Sequence, residues 1–388
     1  MKKILILHNS YRSFGGEDVS VANELELLNQ NFEVKYIEVS NKKVNLIDLI
    51  SIALFNSNLR FIFKIKNQII NFRPDVVYIH NTWFLITPNI IKYILKKETK
   101  VVLKLHNFRY YCSSSISINN HTSKNSFCKA CGLRNKKYSI INKYFYESYL
   151  KSYFLWRQSR KLLKIIKYNK NLKLFVLTSF HKNFIIENFQ LSEKRIYTVP
   201  NYLKINKQIE SSFKRKDITY AGRISIEKGV ENLIKAFNLI KFENTKLNII
   251  GDGPELNKLK NLYSNSNINF LGELENSKTL DIISKSYLVA TGTMLFEGQP
   301  TLLCEAVFLK VPILFPLSGG ISEFFGQENI LSYSVDKEDK YIIKEIATKF
   351  KFAFENNLDD LILKNFDYLN QIINKEKIIK QFDNIVNE

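Results

Sequence analysis

The chain has 388 residues, 45% hydrophobic and 24% charged, with 57 Lys+Arg against 37 Asp+Glu and a formal net charge of +20. That length exceeds one ordinary core, so two domains are expected, and the composition is that of a globular protein, not a disordered or fibrous one. No apolar run approaches the roughly 18 residues of a membrane span, and four cysteines give no disulfide framework, which points to a reducing cytoplasm.

In chain order, short β-rich runs alternate with longer helical ones. The opening "MKKILILHNS" has a basic head but only four apolar residues in succession, so 3–7 reads as a first strand and not as a signal peptide. Further strands are expected at 34–39, 75–80, 100–106 and 173–179, continuous apolar runs suited to a parallel sheet covered on both faces. Gly15-Gly16 follows the first strand. It lets the backbone approach a ligand closely before a helix carrying Val21, Leu25 and Leu28 at helical spacing, with a plain turn as the alternative.

His106 stands at the carboxyl end of the fourth strand, as a functional group or as a hydrogen-bonded strand-end imidazole. Cys112, Cys128 and Cys131 follow, with His121 between them. The Cys-x2-Cys pair suits a tetrahedral zinc ion with His121 or His106 completing the set; thiols packing a loop are the other reading. The stretch 135–170 is dense in Lys, Arg, Tyr, Phe and Trp. It fits an anionic membrane surface, or a solvated helical hairpin with its rings turned inward.

A polar stretch at 206–217 reads as a linker, after which strands are expected at 218–222, 246–251, 268–272, 287–292 and 311–315. Ten of the 13 glycines fall between Gly222 and Gly326, several closing a strand directly. Strand-Gly-helix turns bring backbone N–H groups to the carboxyl edge of a parallel sheet, which places the small-molecule site mainly in this half. Arg223 and Lys228, next to a helix start, suit a diphosphate: a guanidinium grips oxygens as a fork and an ammonium adds a mobile charge. Pro300 suits a first helical turn, with Glu297 in the loop before it and Glu305 about one turn inside. Glu305 can accept two hydrogen bonds from the vicinal diol of a ribose, Glu297 can reach hydroxyls of a second sugar, and backbone N–H groups around Gly298, Thr301 and Leu302 face the same space. The last stretch, about 340–388, is helical in pattern and has neither Gly nor Pro.

"GR…EKG" (222–229), "GDGP" (251–254), "FLG" (270–272) and the Glu-x7-Glu of 297–305, in this order and at these separations, resemble the second domain of family 4 retaining glycosyltransferases, most closely over 217–326. The resemblance implies an α/β architecture, the GT-B fold, with two Rossmann-like doubly wound domains facing each other across a cleft. Residues 1–200 would bind the acceptor and 201–365 the nucleotide sugar, while 366–388 would form a C-terminal helix packing back on the first domain. It implies transfer of a sugar from a nucleotide-diphosphate sugar to a glycan or lipid-linked glycan in cell-surface polysaccharide assembly. No metal or other cofactor would be required. The setting would be cytoplasmic, on the inner membrane face, with no nucleic-acid partner.

By the same resemblance Arg223 and Lys228 hold the diphosphate, and Glu305 holds the ribose. Glu297 and the backbone from Gly298 to Leu302 contact the donor sugar, Gly15-Gly16 closes over the phosphates, and His106 lies near the reaction centre. Gln299-Pro300 and Lys310 depart from the family pattern and leave the sugar open, and Asn107 stands where an acid usually follows the histidine. Two other readings stay open: a nucleotide-sugar epimerase of the same fold, and a nucleic-acid-binding protein using the positive charge.

Overall fold

The computed structural model describes residues 1–10, 15–97, 99–112, 143, 148–204, 216–240, 242–263, 267–326, 329–335 and 338–387. Most of the expected linker, together with Cys128, Cys131 and His121 of the candidate zinc set, lies outside the described residues. The chain divides into two compact units, Met1–Tyr202 with Asn374–Glu388, and Leu203–Ile373.

Unit 1 is built on β1 (Lys3–Ser10), β2 (Glu33–Ser40), β3 (Val76–Ile79), β4 (Lys100–Leu105), β5 (Leu172–Val176) and β6 (Ile196–Thr198). All six pair in parallel, in the order β2-β1-β3-β4-β5-β6. Its helices are α1 (Gly16–Asn29), α2 (Leu46–Phe55), α3 (Leu59–Phe72), α4 (Pro88–Ile94), α5 (Tyr149–Tyr168) and α6 (Ser179–Phe189). Parallel strands need crossovers, and helices that cover the sheet on both faces explain why the strands are apolar without alternation.

Unit 2 repeats the plan with β7 (Ile218–Ala221), β8 (Leu247–Ile250), β9 (Ile268–Gly272), β10 (Leu288–Ala290), β11 (Ile313–Pro316) and β12 (Ser332–Tyr333), in the order β12-β11-β10-β7-β8-β9. Its helices are α7 (Val230–Asn238), α8 (Leu256–Leu262), α9 (Asn276–Lys285), α10 (Thr301–Phe308), α11 (Ser322–Phe325), α12 (Asp339–Glu355) and α13 (Asp359–Ile372). Ile218, Tyr220, Leu247, Ile249, Leu288 and Leu314 of the strands pack against Leu233, Phe237, Ile346 and Phe350 of α7 and α12. The chain then returns to unit 1 as α14 (Lys375–Asn387), whose Ile378, Phe382 and Ile385 close the core formed by Ile4, Ile6, Tyr78, Val102 and Phe175. The sequence reading starts this terminal element at 366. That position lies inside α13, and the crossing comes at 373–374 because the α13 face bearing Asn365 and Leu369 is buried in unit 2.

Each sheet has one position where the winding reverses: β1/β3 in unit 1 and β7/β10 in unit 2. At such a point the loops leaving two neighbouring strands part to opposite sides and open a crevice at the carboxyl edge. In unit 2 those two loops nearly touch. Gly229, at φ 61°, faces Gly292 so closely that a methyl group on it would sit 1.9 Å from the Gly292 carbonyl oxygen. Gly229→Ala combines a left-handed backbone with this clash and should lower the unfolding free energy by about 2 kcal/mol or more, read from a urea midpoint shifted at unchanged slope.

Candidate active site

The unit 2 site grows out of the β7 and β10 loops. After β7, the Arg223 carbonyl accepts from the Tyr220 hydroxyl at 2.9 Å, and Ile224 N–H donates to the Asp252 carbonyl at 2.9 Å, tying this loop to the one after β8. A single 3-10 turn, Ile226–Lys228, ends at Gly229, which starts α7. From the other side, Met294 N–H donates to the Glu227 carbonyl at 2.9 Å. These ties bring Lys228 Nζ to 2.5 Å from Glu297 Oε1, which also accepts from the Thr293 hydroxyl at 2.9 Å.

The loop after β11 braces the same carboxylate residue. Gly320 N–H donates to the Glu297 carbonyl at 2.8 Å, and a methyl group on Gly319 (φ 65°) would lie 2.5 Å from that oxygen. Lys228, expected on the diphosphate, and Glu297, expected on the donor sugar, form an ion pair. Their side chains keep 29% and 21% of their exposure. The pair is only partly buried, so its ammonium stays within reach of a ligand.

Arg223 lies on the β7 loop with its side chain exposed. Gly298 is buried in the β10 loop, Pro300 caps α10, and Thr301 and Leu302 occupy its first turn, where a helix leaves N–H groups without intrahelical acceptors. Glu305, one turn further, is buried, and that burial pushes its carboxyl up to about 7. The structure thus joins Lys228 to Glu297, and leaves Arg223 exposed and Glu305 buried.

In the ligand-free protein a carboxyl raised from 4.5 to about 7 contributes stability that is fully present below pH 4.5 and lost as pH rises through 7. Glu305→Gln should remove this loss, so the variant's stability advantage should grow from pH 5 to pH 8 toward about 3 kcal/mol, measured by urea titrations across that range.

In unit 1 the reversal point carries a larger polar network than the sequence suggested. Leu7 pairs with Ile79, so β1 and β3 run side by side into His8-Asn9 and His80-Asn81. Asn81 donates its amide to the Asn9 carbonyl at 2.7 Å, and the Asn9 side chain accepts from Leu85 N–H at 2.7 Å, clamping the β3 loop. His8 meets Asp18 at 2.8 Å, and Asp18 in turn accepts from Gly15 N–H at 2.9 Å. The expected Gly15-Gly16 turn is therefore pinned to β1, with the Gly15 N–H already engaged and Gly16 opening α1.

His106 follows β4 directly, and its Nε2 lies 3.2 Å from His80 Nδ1. Burial holds both imidazoles well below the ordinary histidine value, and the neighbouring Lys104 ammonium lowers them further, so one ring donates to the other as a neutral pair. Behind them, the fully buried Lys104 pairs with Glu24, which also accepts from the Tyr78 hydroxyl at 2.8 Å.

His8, His80, Glu24 and Lys104 escaped the sequence reading. A signal was present: β1, β3 and β4 each run into His-Asn, at 8–9, 80–81 and 106–107. Cys112 is buried, and the described residues hold no cluster of three or more His, Cys, Asp or Glu able to bind a metal. Of the aromatic, basic stretch at 135–170, the described part is mainly α5, which buries Leu155, Leu162 and Ile166 and leaves Tyr149, Tyr153 and Tyr168 outward.

Removing one member of a buried ion pair strands the other, at a cost of about 3–5 kcal/mol, whereas neutralising both is far milder. Lys104→Met should therefore destabilise much more than Glu24→Gln/Lys104→Met, a difference that equilibrium unfolding of the two variants will resolve.

Two parallel six-stranded sheets, each doubly wound with loops converging at its reversal point, form the GT-B fold. Residues 203–361, nearly all of unit 2, match the model of the family described as Glycosyl transferases group 1. The chain is 30% identical over 226 residues to "Uncharacterized glycosyltransferase MJ1069" of Methanocaldococcus jannaschii, covering 53% of this chain and 57% of the relative. It is 26% identical over 250 residues to the amylovoran biosynthesis glycosyltransferase AmsD of Erwinia amylovora, covering 58% and 65%. The chain thus spans less than two thirds of these two relatives. Among solved structures, Anabaena HepE in complex with UDP and glucose superimposes with a TM-score of 0.65 at 13% identity, covering 100% of both chains.

Proposed function

We propose that the chain transfers a sugar, with retention of configuration, from a nucleotide-diphosphate sugar to a glycan or lipid-linked glycan acceptor in the assembly of a surface polysaccharide. The observation that carries this reading is the meeting of Lys228 with Glu297 at the reversal point of unit 2, inside a group 1 glycosyltransferase domain. AmsD acts in amylovoran biosynthesis and HepE is seen with UDP and glucose; both support a nucleotide sugar as donor and a polysaccharide as destination. The relatives named are glycosyltransferases, and no observation favours the epimerase.

Loss of a nucleoside diphosphate places negative charge on the leaving phosphate and positive character on the sugar carbon. In this scheme Lys228 exchanges Glu297 for the phosphate and Arg223 adds a second cation, stabilising the charge that develops. Glu297, released from Lys228, is free to accept from a sugar hydroxyl, and Thr293 keeps it oriented. Glu305 accepts from the ribose diol and the first turn of α10 faces the same ligand. The acceptor hydroxyl attacks the face the diphosphate leaves and passes its proton to that phosphate.

A thermal-shift panel of nucleotide sugars should pick out one donor by its stabilisation of the fold. With that donor, Lys228→Ala should lower turnover by about a hundredfold or more while leaving the unfolding midpoint near the wild-type value. Ordinary turnover in Lys228→Ala would remove the lysine from the reaction, and a panel without any stabilising nucleotide would overturn the donor assignment.

A further inference from the structure

The ends of β3 and β4 carry the same short device, side by side. β3 runs into His80-Asn81-Thr82-Trp83, and its parallel neighbour β4 into His106-Asn107-Phe108-Arg109. In each, the asparagine side chain accepts the backbone N–H two residues on, from Trp83 at 2.9 Å and from Arg109 at 3.1 Å. Such a turn fixes the direction the chain takes on leaving its strand. Each carbonyl is engaged too. Asn41, just beyond β2, donates to the Trp83 carbonyl at 2.9 Å, and Ser159 of α5 donates to the Arg109 carbonyl at 2.5 Å.

The two turns present matched pairs. His80 and His106 stack with ring centroids 5.4 Å apart, and three residues further the Arg109 guanidinium lies 5.5 Å from the centre of the Trp83 ring. Both Trp83 and Arg109 are half-buried. A cation over an indole can be a surface pairing and nothing more. Two features here point to a ligand. Main-chain hydrogen bonds hold each residue from both sides, so ring and guanidinium are preorganised without depending on each other. The charge written into these loops also has one sign: residues 80–97 and 106–112 include Lys92, Lys96, Lys97 and Arg109 and neither Asp nor Glu. The adjoining histidines are held neutral, which leaves the guanidinium as the cation of the paired turns.

We infer that Trp83 and Arg109 hold the acceptor, and that this acceptor presents a sugar ring bearing an anionic oxygen group, a phosphate or a carboxylate. The inference rests on the sugar-transfer reading for its reaction, and adds to it the chemical class of the acceptor and the two residues that take it. The indole offers an apolar face to the C–H groups of a pyranose, while the guanidinium gives the anion two parallel N–H donors. A neutral ring would leave that fork to water.

The chain has two tryptophans, Trp83 and Trp156. The buried Trp156 indole N–H has no hydrogen-bond partner among the described residues, so Trp156→Phe gives up no such bond and leaves Trp83 as the single fluorophore. The full chain so altered is titrated with glucose and galactose as their methyl glycosides, uronates and 1-phosphates, and with inorganic phosphate. Trp83 emission should change saturably with the uronates or the 1-phosphates, the tighter of the two naming the oxyanion, and the methyl glycosides should bind about tenfold more weakly. Arg109→Gln should erase that preference at an unchanged unfolding midpoint, and Arg109→Lys, which keeps the charge and loses the fork, should retain part of it. Four results would overturn the inference: emission that no sugar alters, methyl glycosides that bind as tightly as the acidic sugars, a preference that survives Arg109→Gln, or inorganic phosphate that matches the 1-phosphates. The thermal shift with donor is read separately on the same protein. A stabilising donor with a silent Trp83 removes the acceptor assignment alone, and a responsive Trp83 without a stabilising donor removes the donor reading alone.

Discussion

Lys228 reaches Glu297 because two backbones pass with no side chain between them. The loop after β7 and the loop after β10 leave adjacent strands toward opposite faces of the sheet, and they can approach only where Gly229 and Gly292 stand opposite each other. The same approach permits the hydrogen bond from Met294 to the Glu227 carbonyl, which sets the height of Lys228 over the crevice. Chemistry that needs a cation and a carboxylate on one small ligand thus rests on two residues without side chains. Unit 2 places Lys228 and Glu297 by backbone geometry, and both remain partly exposed.

Unit 1 solves the equivalent problem by the opposite means. Its crevice at β1/β3 is framed by side-chain amides and imidazoles, and a buried Lys104–Glu24 pair lies directly underneath. Burying an ammonium and a carboxylate together is expensive, and their attraction only roughly repays it. What the pair contributes is position: Tyr78 is oriented by Glu24, and His80, just past the end of the same strand, lays its ring against Tyr78 and its Nδ1 toward His106. The rings at the mouth are thereby held neutral and in one orientation, the condition under which a histidine can donate or accept a single proton predictably.

The alternation of strands and helices was plain in the residues because parallel strands covered on both faces leave unbroken apolar runs, and all ten runs read as strands lie in the two sheets. The strands β6 and β12 went unread. They have three and two residues, "IYT" and "SY", and exist by pairing with a formed edge and not by any pattern of their own. Glu24 and Lys104 were invisible for a related reason. A charged residue inside an apolar period looks like a solvated exception until its partner, eighty positions away, is seen beside it. Pairing of Lys228 with Glu297 was hidden likewise, since motif spacing names the residues of a site but not which of them touch. The orientation of α2, which buries Asp48, Ser51 and Ile52 and leaves Leu46, Ile47, Leu49, Ile50 and Leu54 exposed, is the sharpest case. "LIDLISIALF" has the composition of a core helix, and composition carries no information about which way the stripe faces.

The return of α14 to unit 1 bears on how the chain is made. Phe382 packs edge-on against Tyr78 and Phe175 and close to Phe32, filling the centre of a core whose other walls come from the first two hundred residues. During synthesis those walls are complete long before their keystone leaves the ribosome, whereas every strand of unit 2 is encoded without interruption. The later-encoded unit can therefore finish folding first. The earlier one lacks Ile378, Phe382 and Ile385 of its core until α14 follows.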